Sequence, residues 1–356
     1  MLEKKLDFPF NDNQKVLQTV ASIDRFHGKW QLKTAKAGET LRELRRMATV
    51  QSIGSSTRIE GSLLSDKEVS KLLDDVRITK FESRDQEEVV GYYNALETLL
   101  ENHKSIQIRE STVLNLHGIL LKPVGKDERH RGEYKSLSNR VNARYADGKT
   151  KIIFETTPPH LVRKEMEDLL SWTQTRIKKT DIHPLLVVGL FVYEFLSIHP
   201  FQDGNGRLSR LLTTLLLLKF GYGFIQYISF EHQIENRKSE YYRALMTCQK
   251  RRKPGKAEDI SEWIHFFLGC LLELAVKLEK KSDGLKGSGG YLNKRQLGVL
   301  DFIKQSAPVK LSDLTSRFPG LSVNTLKKDV QYLVQEGRLE KTGQKKGSVY
   351  SPGDAA

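Results

Sequence analysis

His199-Pro200-Phe201-Gln202-Asp203-Gly204-Asn205-Gly206-Arg207-Leu208-Ser209-Arg210 gathers a titratable base, a hard oxygen ligand, two glycines around an asparagine and two arginines into one run. An apolar stretch, Leu185 to Ile198, leads in, and a second, Leu211 to Leu218, leads out. His199 is the one side chain of the run that takes a proton near neutral pH. Asp203 suits Mg2+, which usually keeps few protein ligands and bridges substrate phosphates. Gly204 and Gly206 let successive backbone N–H groups converge and let phosphates come close. A helix beginning near Asn205 adds free N–H groups and the positive end of its dipole. Arg207 and Arg210, three apart, can share one side of the first turn, and arginine pairs well with phosphate oxygens. Each feature is common alone; together they describe a site for a phosphate chain, a divalent cation and a proton acceptor.

Outward from this run the chain reads as mainly α. Leu41, Leu44 and Met47 opposite Arg42, Glu43, Arg45 and Arg46 predict an amphipathic helix over 39–53. Further helices are expected over 111–121, 161–177, 185–198, 205–220, 236–250 and 259–278. The segment 145–154 differs: Asp147-Gly148 is a turn signal, and Ile152-Ile153-Phe154 favours a strand that Pro158-Pro159 closes, so a short β-hairpin precedes the helix at 161. Residues 1–38 carry little signal, with Asp7-Phe8-Pro9-Phe10 resembling an extended arm.

The Gly/Ser-rich stretch 282–290 reads as a flexible linker. Beyond it, Leu297, Leu300 and Ile303 mark a helix, Leu311 to Leu314 begin a second, and Ser322 caps a third that stops at Gly337. Residues 338–350 then alternate around glycines like a two-stranded wing, which predicts a C-terminal winged helix-turn-helix over 291–356. Eleven Lys and Arg stand against six Asp and Glu there, an excess of +5. Asn324, Thr325, Lys327, Lys328 and Gln331 could face a major groove, with Lys345 and Lys346 reaching phosphates, so DNA is a candidate partner; protein docking is the alternative use of such a module.

The whole chain, 356 residues with a formal charge of +14, permits polyanion binding without demanding it. The run Leu185–Ile198 is broken by Glu194 and Leu211–Leu218 is short, so no membrane span is expected. Cys248 and Cys270 alone make no disulfide framework and no Cys-rich zinc site, and no apolar signal segment opens the chain; a reduced, cytoplasmic protein is expected.

The central run resembles the signature of the Fic family, His-Pro-Phe-x-Asp-Gly-Asn-Gly-Arg-x-x-Arg, at every specified position. The resemblance implies a helical domain that transfers AMP from ATP to a Ser, Thr or Tyr hydroxyl of a target protein and of itself. It implies His199 as general base, Asp203 as the Mg2+ ligand, and Gly204, Asn205, Gly206 and Arg207, continuing through Leu208 and Ser209, as the nucleotide-binding turn. Arg210 would take the terminal phosphate. The hairpin falls where the family keeps a flap that pairs with target peptide. Tyr241 and Tyr242 resemble a pair that closes the nucleotide pocket, although a core aromatic pair reads the same way. Arg131-Gly132-Glu133-Tyr134 matches a string found upstream of the flap in relatives, and reads equally as a turn.

Ser56, Glu60 and Gly61 resemble the family's inhibitory helix, here over about 52–61 and ahead of the core, the class II arrangement. Glu60 would then pair with Arg210 and deny it to ATP. The expected division is a helical region 1–105, a Fic core 106–281, the linker 282–290 and the winged helix 291–356. Family relatives often form homodimers. The competing expectation is a winged-helix DNA-binding regulator whose Fic domain senses nucleotide, transfers a different group or removes AMP.

Overall fold

The computed structural model describes residues 2–34, 38–74, 81–144, 150–252, 258–287, 292, 294–335, 337–343 and 348–353. These separate into two units, residues up to Val276 and residues from Lys277 onward. In the first, a 3-10 turn, Leu2–Leu6, precedes α1 (Phe10–Thr34), α2 (Gly38–Glu60), α3 (Asp66–Asp74), α4 (Arg84–Asn102) and α5 (Glu110–Leu121). A 3-10 turn at Gly125–His130 leads to strands β1 (Arg140–Arg144) and β2 (Thr150–Glu155). Then come α6 (Pro159–Lys179), α7 (Pro184–Ile198), α8 (Asn205–Lys219), a 3-10 turn at Gly223–Tyr227, α9 (Phe230–Asn236), α10 (Lys238–Lys250) and α11 (Ser261–Gly287), within which the unit boundary falls.

The core is built on α7 and α8, whose apolar runs are buried almost all round. Pro184 opens α7, where its missing N–H and fixed φ cost nothing. Gly189 in α7 has no room for a side chain: a Cβ would stand 2.8 Å from Ile264 Cδ1 of α11. That close approach lets the Trp263 indole N–H reach the Gly189 carbonyl at 2.8 Å. Strands β1 and β2 pair antiparallel from Arg140↔Glu155 to Arg144↔Thr150, with an irregularity at Val141/Asn142. Such a bulge turns a strand and re-aims its side chains. The Asp147-Gly148 turn lies outside the described residues.

Several expectations are corrected. Residues 1–38 are not an uninformative arm: α1 buries Val16, Val20, Ile23, Phe26 and Trp30, a helical stripe, and Phe8 and Lys5 are buried too. Helices α3, α4 and α9 add to the set expected from the sequence. The expected face of α2 is rotated; Met47 is 43% exposed while Ala48 is buried, because Ala48, Ser52, Ser56 and Ile59 form the stripe that meets its neighbours. Helix α11 runs to Gly287, into the segment expected to be linker, since Gly weakens a helix by only about 1 kcal/mol per residue and does not by itself stop one.

The second unit contains α12 (Lys294–Ser306), β3 (Val309–Lys310), α13 (Leu311–Arg317), α14 (Val323–Gln335), β4 (Leu339–Thr342) and β5 (Val349–Pro352). Its strands form an antiparallel sheet in the order β3-β5-β4. Leu300, Ile303, Leu314, Leu326, Val330, Leu333 and Leu339 make its core. Ser322 Oγ accepts the Thr325 N–H at 3.1 Å at the start of α14, and Gly337, at φ 69°, follows its end. Arg295 grips the buried Asp329 with two hydrogen bonds, 2.6 and 2.9 Å. Lys345 and Lys346 lie outside the described residues. Among the described residues no helix is long and apolar enough to cross a membrane, and Cys248 and Cys270 are free, buried thiols whose pKa values burial pushes up to about 12.

Candidate active site

The loop between α7 and α8 is shaped by two residues in left-handed conformations. His199 ends α7 at φ 52°, its N–H bonded back to the Phe195 carbonyl at 2.9 Å. Gly204 caps α8 at φ 78°, a conformation that favours glycine. Between them the Asn205 side chain both accepts from Phe201 N–H at 2.9 Å and donates to Phe201 O at 2.7 Å, closing the loop on itself. The first intrahelical bond of α8 runs from Leu208 N–H to Gly204 O, so the N–H groups of Asn205, Gly206 and Arg207 precede the regular ladder.

A cavity of about 260 Å³ opens above this loop. His199, Asp203, Gly204, Asn205, Gly206 and Arg210 line it from the central run, Arg140, Val141 and Phe154 from the hairpin, Tyr241, Tyr242 and Leu245 from α10, and Glu60 from the end of α2. Tyr241 and Tyr242 pack edge to face at 5.2 Å, with Tyr241 buried. Leu208 and Ser209 are buried and are not among the lining residues.

His199 Nδ1 faces the Leu196 carbonyl at 3.4 Å, which leaves Nε2 as the proton acceptor. Burial pulls its pKa down to about 4, with the Lys135 cation acting in the same direction, so the ring is neutral at pH 7. Burial alone would push the Asp203 carboxyl up, but Arg207 and Arg84 hold it below the ordinary range. Both arginines donate to Oδ2, each at 3.0 Å.

Arg207 and Arg210 diverge. Arg207, 2% exposed, turns to α4 and bridges Asp203 to Glu88, whose Oε2 is 3.2 Å away. Arg84 closes the ring through Glu88 Oε1 at 2.9 Å. The Arg207 side chain is therefore held between Asp203 and Glu88 and does not line the cavity, although its Nε and Nη1 make no hydrogen bond to a described residue. Arg210 turns to α2: Nε donates to Ser56 Oγ at 2.8 Å, and Nη2 to Ser56 O at 2.9 Å and Glu60 Oε1 at 2.7 Å. The Glu60 carboxylate thereby lies over Gly206, in the first turn of α8.

Glu60 is held there by a helix stop. Gly61, at φ 116°, donates to Arg58 O at 3.1 Å, and Ser62 N–H reaches Thr57 O at 3.1 Å, a Schellman ending with Gly61 as its left-handed residue. Arg58 fastens this turn, pairing with Asp66 at 2.9 Å and with Glu235 of α9 at 2.6 Å.

Residues not anticipated complete the site. His117 of α5 is fully buried and stacked on Phe201, with ring centroids 3.8 Å apart. Its Nδ1 accepts the Gly132 N–H at 3.0 Å, so Nε2 carries the proton that it gives to Asp203 O at 3.1 Å. Gly132 belongs to the Arg131–Tyr134 turn, which is thus tied to the loop. Arg84, Glu88, His117 and Lys135 had no local signature, since their roles arise only when distant segments meet.

Residues 107–217 match the model of the Fic/DOC family, and this stretch is helical apart from the β1–β2 hairpin and short connections. Over 239 residues it is 28% identical to a "Protein adenylyltransferase Fic" of Drosophila grimshawi, covering 66% of this chain and 44% of that one. It is 32% identical over 98 residues to a Fido domain-containing protein of Dictyostelium discoideum, covering 28% of this chain and 64% of that one. The chain thus spans less than half the length of the Drosophila relative. A crystal structure of a Fic family protein from Desulfovibrio desulfuricans G20 shares the fold over 95% of this chain and 96% of its own, at 24% identity and a TM-score of 0.65.

Proposed function

We propose that the chain transfers AMP from ATP to a hydroxyl of a protein, itself included, and that Glu60 holds this activity down. The carrying observation is the Glu60–Arg210 pair at 2.7 Å in the same cavity as a neutral His199. His199 Nε2 takes the proton of the attacking hydroxyl. The new bond joins that oxygen to the α-phosphorus, and the bond to pyrophosphate breaks. The free N–H groups at the start of α8 and the Arg210 guanidinium receive phosphate oxygens, and Tyr241 and Tyr242 close the pocket on the nucleoside. Much of the rate then comes from positioning and charge complementarity.

Asp203 suits Mg2+. It would be the one carboxylate of an ion otherwise held by substrate phosphates and water. Such an ion, when bound, neutralises the phosphate chain and the leaving group. Arg207 and Arg84 keep the carboxylate ionised and aimed.

The inhibitory reading follows from competition for one set of donors. A carboxylate over the α8 N-terminus takes both the anion site and Arg210. The cavity that remains, about 260 Å³, is below the usual ~300–1,000 Å³ of small-molecule sites. The test is Glu60→Gly incubated with labelled ATP, GTP, CTP and UTP beside the wild type. Label transferred from ATP by the variant, and little by the wild type, supports the reading. No gain with any nucleotide sinks it, and a preference for another nucleotide, or release of AMP from a modified protein, redirects it.

For residues 277–356 a second reading rests on α14. Leu326, Val330 and Leu333 bury inward while Asn324, Lys327, Lys328 and Gln331 are exposed. We read this unit as a winged helix that binds DNA through that face. Salt-dependent retardation of duplex DNA by the full chain, lost in Lys327→Glu/Lys328→Glu, would support it.

A further inference from the structure

Lys135 is 4% exposed, directly after the Arg131–Tyr134 turn, and the transfer reading gives it no task. Its Nζ donates to Asn139 Oδ1 at 2.8 Å, Thr156 Oγ1 at 2.7 Å and Ile198 O at 3.2 Å. An ammonium has three protons, so the set is complete. None of the three acceptors is a carboxylate, and burying a cation that way is costly. Burial pulls its pKa down to about 8, with Glu165 pulling the other way.

The acceptors are not scattered. Asn139 immediately precedes β1, Thr156 immediately follows β2, and Ile198 immediately precedes His199. The Lys135 N–H donates to Pro200 O at 2.8 Å, and Asn139 Nδ2 to Phe201 O at 2.8 Å. Thr156 Oγ1, accepting from Lys135, donates in turn to Asn139. Both stems of the hairpin are thus knotted to the backbone on either side of His199, and the hairpin lines the cavity with Arg140, Val141 and Phe154.

We propose that Lys135 is a positioning residue: its ammonium fixes the β1–β2 hairpin against the residues flanking His199, so that the strand edge and the imidazole keep one relative placement. The same charge acts on His199. The charged groups that bear on the imidazole are Lys135, Glu60 and Asp203; Lys135 opposes its protonation and the two carboxylates favour it. Lys135 therefore adds to burial in keeping the ring in its proton-accepting form, while setting the hairpin above it. The value of this for transfer rests on His199 being the base, but the placement and the charge effect do not.

The test uses the full chain with labelled histidine, the His199 resonance being identified by its loss in His199→Asn. In Lys135→Met the titration midpoint of His199 rises by about half a pH unit or more, as expected for loss of a neighbouring cation. Amides of 140–144 and 150–155 exchange roughly tenfold faster or more, about 1.4 kcal/mol of local opening, while those of α7 and α8 keep their protection. Lys135→Arg keeps the midpoint low. An unchanged midpoint with unchanged hairpin exchange in Lys135→Met overturns the proposal, as does a uniform rise in exchange across the first unit, which marks a merely structural role. Should Lys135→Met not fold, Lys135→Gln is judged by the same criteria. Neither readout involves nucleotide or target, so failure of the transfer reading, seen separately as no ATP binding by Glu60→Gly, leaves this result interpretable.

Discussion

The Glu60 carboxylate occupies the space that a side chain on Gly206 would need: a Cβ built there collides with Oε1 and comes within 3.3 Å of Arg210 Nη1. The glycine is thus required by the ion pair as well as by any phosphate. Removing the carboxylate and filling the gap should have opposite consequences. Glu60→Gly is expected to bind ATP at least tenfold more tightly by calorimetry; Gly206→Ala loosens the pair but refills the vacated space and gains no affinity. Because Glu60 is a third exposed, its removal admits water to the buried Arg210, which also keeps Ser56, so the stability cost of Glu60→Gly is about 1–3 kcal/mol. Equal ATP affinity in both variants would contradict the steric argument.

Gly61 offers an independent handle. Its φ of 116° strains any L side chain, so Gly61→Ala costs about 1–2 kcal/mol and disturbs the turn that presents Glu60. Raised self-modification in Gly61→Ala, with Glu60 still present, is the expected outcome of a labelling assay. Activity at the wild-type level would show that the helix ending does not place the carboxylate.

His117 and His199 share a pH signature. Both fall from 6.5 to about 4 on folding, chiefly through burial. The unfolded chain therefore takes up protons below 6.5 that the folded chain refuses until about 4, so stability is full above that window and declines through it. The loss is at most ~1.4 kcal/mol per group per pH unit. Thermal melts between pH 7.5 and 4.5 should fall as acid is added, less steeply in His117→Asn. A flat profile would refute the buried-neutral assignment. The acid limb of kcat/KM in Glu60→Gly should correspondingly lie at about pH 4 or below, since the carboxylate removed favours protonation of His199.

Arg207→Ala leaves Glu88 buried beside Arg84 alone and frees Asp203 from one of its two holders. A loss of about 3 kcal/mol is expected by denaturant titration, with Arg207→Lys recovering little because one ammonium cannot span both carboxylates. Unchanged stability would return Arg207 to the phosphate-binding role its sequence position suggests.

The loop carrying His199 was legible because two long apolar runs frame it and every residue between them has a chemical use. Helix α1 has its signal in the sequence too, since Val16, Val20, Ile23, Phe26 and Trp30 recur at helical spacing, but Asp7-Phe8-Pro9-Phe10 just ahead of it reads locally as an extended arm. The fates of Arg207 and Arg210 were not legible. Three residues place two side chains about 60° apart around a helix, near enough to share a ligand and far enough to meet different neighbours. Only the arrival of α4 on one side and α2 on the other decides between these. The same holds for His117, Arg84 and Lys135, whose bonds to residues 198–203 span 63 to 119 residues of chain.

Helix α2 packs against α3, α4, α8 and α9, and its last two turns are almost wholly buried. Glu60 alone of that stretch is exposed to solvent, on the final residue. The carboxylate can therefore leave Arg210 by rotating about its own bonds while every helix stays where it is. Exposed side chains change rotamer in picoseconds to nanoseconds. A switch of this kind would be invisible to circular dichroism or to a change in hydrodynamic radius, and would be seen only by a probe placed on the side chain itself.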